Sequence, residues 1–446
     1  MKRFPFTEIP PTSHYWLTHG RIPSSLLGCS SKNLPPIPEL AAAPFQEELV
    51  AVDVEIGGGQ IRRIAPAGTA PAGATRCHLR QGLIWPCFID MHTHLDKAHI
   101  WPRTANLSGT FAEALEQVDV DRERYWRGAD LHRRIDFALR CSYAQGTRAI
   151  RTHVDCLEHQ AATSFAVLDE LRTAWADKIN LQFVSLVPIE FFLRDDAADL
   201  VALVADYGGI LGAVTYQHPE LERQIDRAFQ LAKAYGLSLD LHVDESLNPQ
   251  DQALAKVAQG KIRHDFSDTV VCGHVCSLSV QSPATVELTL EQVQAAAITV
   301  VSLPLCNLYL QDRVPGRTPR YRGVTLLHEL HQAGIPVALA GDNSRDPFFA
   351  YGDHDGLEVF TQSVRIGHLD RPYGDWPQAV TTVPAVAMGL AEAGAIQPGQ
   401  TADLVLFRAR TLNELVARNQ CDRIVLRGGQ AIDTSLPDYA ELDDIL

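Results

Sequence analysis

The run Phe88-Ile-Asp-Met-His-Thr-His-Leu-Asp-Lys97 constrains this chain more than any other stretch. It grows out of Leu83-Ile-Trp-Pro-Cys-Phe-Ile89, a short continuous apolar segment. Such a segment reads as a strand buried on both faces, the kind that parallel sheets use. Two imidazoles follow at spacing two, His92 and His94. On an extended backbone, residues i and i+2 point to the same side. Both rings can therefore converge on one divalent cation at the mouth of a parallel sheet. Neutral imidazole suits zinc and iron at such a site. Taken alone, the pair is equally two histidines in a polar loop, so the remainder of the chain has to decide.

From about Gln81 to Val337 short apolar runs alternate with amphipathic stretches. The predicted strands are Leu83–Ile89, Ala149–Val154, Leu181–Val187, Ile210–Thr215, Ser238–Val243, Thr269–Cys272, Thr299–Leu303 and Val337–Ala340. Predicted helices between them include Leu131–Gln145, Ala166–Trp175, Leu221–Ala234, Leu290–Ala297 and Thr325–Ala333. Gly146, Gly236 and Gly334 each follow a helical run, where a C-terminal cap favours glycine. Eight strand–helix units predict an α/β fold of the TIM-type (β/α)8 barrel class. An open doubly wound sheet is the second choice, but no Gly-x-Gly-x-x-Gly follows an early strand.

The two ends differ from this pattern. Glu48–Val54, Arg62–Ile64, Leu404–Phe407 and Arg423–Leu426 are short β-like runs, with turns at Gly57-Gly58-Gly59 and Gly428-Gly429. They predict a small β-sandwich-like domain built from both termini, residues 1–80 with 396–446, beside a barrel over 81–395. Ser30–Pro44 reads as an irregular surface excursion.

Composition narrows the partners. A formal net charge of −15 disfavours nucleic acid and anionic membrane. No stretch reaches the roughly 18 uninterrupted apolar residues of a membrane span. The N-terminus has no apolar core after its basic residues, so no secretory signal is read there. Nine scattered cysteines fit a reducing cytoplasm. Homo-oligomerisation is left open by the sequence.

Further polar residues sit just past predicted strands, where barrel active sites are built. Asp240-Leu-His-Val-Asp-Glu245 supplies His242 as a third imidazole and Glu245 as a proton carrier. Val271-Cys-Gly-His274 supplies His274, and Leu339-Ala-Gly-Asp342 supplies an anionic ligand that can also take a proton from water. His92, His94, His242 and Asp342 around one cation leave room for water, whose pKa such a site lowers toward neutrality. His274 would orient that water or stabilise developing charge, and Glu245 would carry a proton to the leaving group. Each residue has a plainer reading: a core histidine, a turn, a helix cap. Their joint placement at one mouth favours the metal site. A thiolate site at Cys272, His274 and Cys276 lacks a further ligand at finger-like spacing. His153 and Asp155 either form a supporting pair or line the pocket, with a structural role preferred.

These motifs resemble the cytosine deaminase group of the amidohydrolase superfamily. The resemblance covers nearly the whole barrel: His92-Thr-His-Leu-Asp96, Ser108-Gly-Thr-Phe111, Arg151-Thr-His-Val-Asp155, Asp240-Leu-His-Val-Asp-Glu245, Cys272-Gly-His274, Pro304-Leu-Cys-Asn-Leu-Tyr-Leu-Gln311, Tyr321-Arg-Gly323 and Gly341-Asp-Asn-Ser-Arg-Asp-Pro347. It implies one zinc or iron ion on His92, His94, His242 and Asp342, with Glu245 as proton shuttle and His274 beside the attacking water. It implies removal of an exocyclic amino group, or a related substituent, from a small nitrogen heterocycle. The stretch Gly212–His218 holds no lysine, which favours one metal over two.

The substrate reader departs from the group. Ile189 stands where a glutamine is expected to read the pyrimidine amide edge. Asn343 replaces a second acidic residue, and Phe348 replaces a tryptophan. Glu190, Gln217 and His218 are the candidates to read a different ring, such as isocytosine or the aminopyrimidinone half of a pterin. The alternatives are an amidohydrolase cleaving a ring amide or N-alkyl substituent of a pyrimidine or triazine, and a non-catalytic heterocycle-binding protein.

Overall fold

The computed structural model describes residues 6–28, 33–42, 44–157, 160–390 and 393–446. The chain divides into two compact units. One comprises Met1–Ile89, Ser142–Arg148 and Asp355–Leu436; the other comprises Asp90–Cys141, Ala149–His354 and Pro437–Leu446. Among the described residues no helix is long and apolar enough to cross a membrane.

The first unit is built on one eight-stranded mixed sheet. Its long central strand, His14–Pro23, pairs antiparallel with Leu49–Gly57 and parallel with Leu83–Pro86. Leu49–Gly57 turns back into Gln60–Pro66 through Gly58 and Gly59, at φ +58° and +79°. Two consecutive left-handed residues make the tight hairpin whose twist matches its strands, and glycine adopts them without a Cβ clash. Leu404–Phe407 pairs antiparallel with both Leu83–Pro86 and Ile424–Arg427. The predicted excursion Ser30–Pro44 lies partly outside the described residues; the part described holds a single helical turn, Pro38–Ala41.

The structure corrects the first predicted strand. Leu83–Ile89 is not one element but parts of two. Leu83–Pro86 belongs to the eight-stranded sheet, and the Cys87 amide donates to Asp403 in continuation of it. The second piece, β1 (Phe88–Thr93), starts a different sheet. An apolar run carries no signal of which sheet each half joins, and that is why the boundary was invisible.

The second unit is mixed α/β with parallel strands. After β1 come β2 (Thr147–Asp155) and β3 (Asn180–Leu186), which form a three-stranded sheet. Then β4 (Leu211–Thr215), β5 (Leu239–Val243), β6 (Val270–His274), β7 (Thr299–Ser302) and β8 (Val337–Leu339) pair in sequence order, every ladder parallel. Isolated parallel bridges join Val184 to Ile210 and Pro188 to Val214, linking β3 to β4. A further bridge joins Thr93 to Asp342, linking the end of β1 to the residues after β8.

Two helices matter for the site. The first, α1 (Phe111–Tyr125), was not read from sequence. Its N-terminus is capped by Thr110, whose hydroxyl accepts the Glu113 amide, a cap worth about 0.5–2 kcal/mol. Glu113 in turn accepts the amides of Leu107 and Ser108. Near its C-terminal end, Asp121 takes both arms of Arg103 and the indole of Trp126. The helix is thus pinned at both ends. The second, α2 (Pro304–Leu310), starts immediately after β7.

Candidate active site

His92 lies on β1, His94 immediately after it and His242 on β5, all essentially buried. Their Nε2 atoms converge: His92 to His242 is 3.2 Å and His242 to His94 is 3.2 Å. Asp342, just past β8, brings Oδ1 to 3.3 Å from His94 Nε2 and 3.6 Å from His92 Nε2. The Asp342 amide donates to the His92 carbonyl, and Gly341 donates to the Asp90 carboxylate. The carboxylate is therefore fixed to the strand that carries the imidazoles. His274 and Asp342 both sit at left-handed φ, +70° and +62°. Strain of this kind in non-glycine residues is held at functional sites by the surrounding structure.

The donor set fits a metal ion. Four of the donor–donor separations, 3.2–3.6 Å, match the edges of a coordination shell. Bonds of ~2.0–2.1 Å to a tetrahedral ion put neighbouring donors ~3.3 Å apart. Neither carboxylate oxygen of Asp342 receives a hydrogen bond from an N–H or O–H donor, although the group is buried. A buried carboxylate in that condition is costly unless a cation balances it. Burial drives the three imidazoles well below their ordinary pKa, so they are neutral, the form that ligates. Cys272 and Cys276 are buried thiols whose pKa values rise with burial, the opposite of a thiolate ligand's need.

Gly273, between Cys272 and His274, makes room for the cluster. A Cβ there would stand 2.9 Å from His92 Cε1, inside contact distance. The bare backbone of β6 is what lets the His92 ring approach it so closely.

Beside the cluster, Glu245 Oε1 is 3.3 Å from His274 Nδ1. Asn307, on α2, points its amide nitrogen at both, 3.0 Å from His274 Nδ1 and 3.2 Å from Glu245 Oε1. An amide nitrogen can only donate, so Nδ1 accepts and the proton of neutral His274 sits on Nε2. Gln311 holds the Glu245 carbonyl at 3.2 Å. Burial, and then the charge of Asp342, raises the Glu245 pKa well above the usual carboxylate range. Burial thus favours the protonated form of the Glu245 carboxyl. Burial lowers His274 to about 3, opposed by the Asn307 hydrogen bond.

One layer below, Arg151 on β2 meets Asp240 on β5 at 2.8 Å, both buried. Asp240 precedes His242 by two residues and shares its side of the strand. His153 lies between, its ring centroid 4.0 Å from that of His92. Arg151→Met is expected to cost about 3–5 kcal/mol of stability, because it strands the Asp240 charge in the interior. Urea unfolding of the variant against the parent measures this.

His94, His242 and Asp342 of the cluster line a cavity of about 260 Å³, together with Glu245 and His274. Asn343 and Phe348 line it, as do Lys97, Asp155 and Tyr216. One face of α1 forms a wall through Phe111, Leu115, Val118 and Arg122. The four other predicted substrate readers do not line it. Ile189 opens a short 3-10 helix and is fully packed in the interior. Glu190 is exposed and accepts the Tyr216 hydroxyl. Gln217 is exposed and His218 half-exposed, in the turn that leads to the next helix. Sequence reading missed Asn307, Gln311, Lys97 and the α1 wall. The Pro304–Gln311 motif pointed at the first two without assigning them a role.

The amidohydrolase family profile matches residues 143–430. A pterin deaminase from Rhizobium rhizogenes is 50% identical over 405 residues, covering 90% of this chain and 92% of that protein. The 5-methylcytosine deaminase of Klebsiella pneumoniae, solved with 5-fluorocytosine, has the same fold at 23% identity. Its TM-score is 0.78, with 94% and 97% of the two chains covered. An adenosine deaminase from Xanthomonas campestris, solved with bound zinc, aligns at TM-score 0.65 and 15% identity, over 96% and 97% of the chains. By sequence and by architecture, the chain belongs to the amidohydrolase family.

Proposed function

We propose that the chain is a metal-dependent hydrolytic deaminase of an aminopyrimidinone ring, with a pterin as the favoured substrate. In this reading the eight parallel strands close into a (β/α)8 barrel over residues 81–395. Residues 1–80 with 396–446 form the small β domain. His92, His94, His242 and Asp342 hold one divalent cation, zinc or iron. The observation that carries the reading is the buried carboxyl of Glu245, which lines one cavity with His94, His242, His274 and Asp342. The 50% identity to a pterin deaminase supports the choice of ring.

When bound, the cation supplies Lewis acidity that brings the pKa of water toward neutrality. The protein's own residues do the rest. Glu245 hands a proton to the ring nitrogen next to the carbon under attack. It takes one from the attacking water and passes it to the departing amino group, and recovers the second water proton as the carbonyl forms. Water adds its oxygen to that carbon, the C–N bond breaks, and ammonia leaves. His274 points its Nε2 proton at the developing negative charge, and Asn307 keeps His274 and Glu245 in register. The apolar wall Phe111, Leu115 and Val118 excludes water and takes the face of the ring.

The test is ammonia release by the metal-loaded protein from pterin, isocytosine, cytosine and aminotriazines. Pterin is expected to be turned over best. No ammonia from any of the four would end the reading, and an alkylamine product from an N-alkyl triazine would favour the N-dealkylating alternative.

A further inference from the structure

The polar groups facing the cavity, outside the cluster and Glu245–His274, differ in how much bonding capacity they have left. The Asn343 amide is committed to Asp346 at 2.7 Å. The Tyr216 hydroxyl donates to Glu190 at 2.5 Å, and Arg122 pairs at 2.8 Å with Asp119, whose side chain is 54% exposed to solvent. Lys97 and Asp155 are different. Lys97 Nζ lies 2.7 Å from Asp155 Oδ1, and both side chains are largely buried against the cavity. An ammonium has three donors, and a carboxylate accepts at two oxygens. Asp155 takes one of the ammonium's donors, and Asp155 Oδ2 is 3.7 Å from the nearest arginine nitrogen, beyond hydrogen-bond range. A donor and an acceptor thus stand side by side with capacity to spare. The ring of Phe348 lies beneath, its centroid 5.5 Å from Nζ.

A buried ion pair is weak evidence of a stabilising role, because apolar residues of like volume do as well. Side-by-side donor and acceptor groups over an aromatic face match one ligand feature. That feature is a lactam edge, in which a ring N–H and a C=O point the same way. The position expected to read such an edge holds the interior-packed Ile189 instead.

We propose that Lys97 and Asp155 read the lactam edge of the substrate, Lys97 donating to its carbonyl oxygen and Asp155 accepting its ring N–H. The inference rests on the deaminase reading and deepens it. It defines the substrate class as 2-amino-4-oxo rings. A 4-amino ring would present a donor to the Lys97 donor, and sites built on such bonds reject that mismatch strongly.

The test is equilibrium binding, which does not depend on turnover. Pterin fluorescence anisotropy gives one affinity, and displacement by 2,4-diaminopteridine gives the other. The parent is expected to prefer pterin, and Lys97→Met to shrink that preference about 10- to 100-fold, the worth of a charged hydrogen bond. Lys97→Arg should restore part of it. Asp155→Asn, which keeps the side chain's size, should shrink it in the same direction and serves if Lys97→Met does not fold. Metal content and melting temperature identify the folded variants. Equal loss of affinity for both ligands, or an unchanged preference, would overturn the proposal. Pterin that binds with the expected preference but yields no ammonia would sink the deaminase reading and leave the lactam reader standing. A parent that binds neither ligand would remove both.

Discussion

Glu245→Gln is expected to keep the bound metal and lose about 10²–10⁴-fold in kcat, the span that a positioned acid–base group contributes. The glutamine matches the carboxyl in size and can still meet Asn307, so the cavity should keep its shape. What it loses is a proton that can be passed on. The measurement pairs single-turnover rates with metal analysis of the same preparation. A rate within a fewfold of the parent would remove Glu245 from proton transfer. A rate that falls together with metal content would make it a structural neighbour of the cluster instead. The KM should move little, because the ring is gripped elsewhere.

His242→Ala and Asp342→Ala are expected to lose metal and turnover together. His242 is the hub of the cluster, with its Nε2 3.2 Å from both His92 and His94. Removing it deletes the donor that lies between two others and weakens the hold of the remaining two imidazoles and carboxylate on the ion. Chelation of the parent should mimic the variants and lower the melting temperature. A ligand present at a hundred times its dissociation constant adds about 2.7 kcal/mol to the native state. The variants should show no such chelator-dependent shift. Full metal occupancy in His242→Ala would refute the ligand assignment.

The parts of this site that were legible in the sequence are those encoded at strand ends. His92, His94, His242 and Asp342 each follow an apolar run, and the run fixes both their side of the sheet and their height. Parts that depend on loops and helices were not legible. In Phe111–Tyr125 the apolar cavity-lining residues Phe111, Leu115 and Val118 stand among seven acidic or basic ones, so charge conceals the stripe. Lys97 stood in plain view beside the His-Thr-His motif, but nothing local distinguishes a ligand-reading lysine from a solvated one. His14–Pro23, central to the other sheet, mixes polar residues and a glycine into its run and went unread. Glu190, Gln217 and His218 follow the right strands, yet the turns after those strands carry them away from the cavity.

The bare β6 backbone at Gly273 divides the site into what can be altered and what cannot. A saturation library at that position should return glycine almost alone, since any other side chain collides with His92. Leu115 is 48% exposed and lines the cavity. Efforts to retune which rings this catalyst accepts belong on that face of α1, where diversity can accumulate without touching the chemistry.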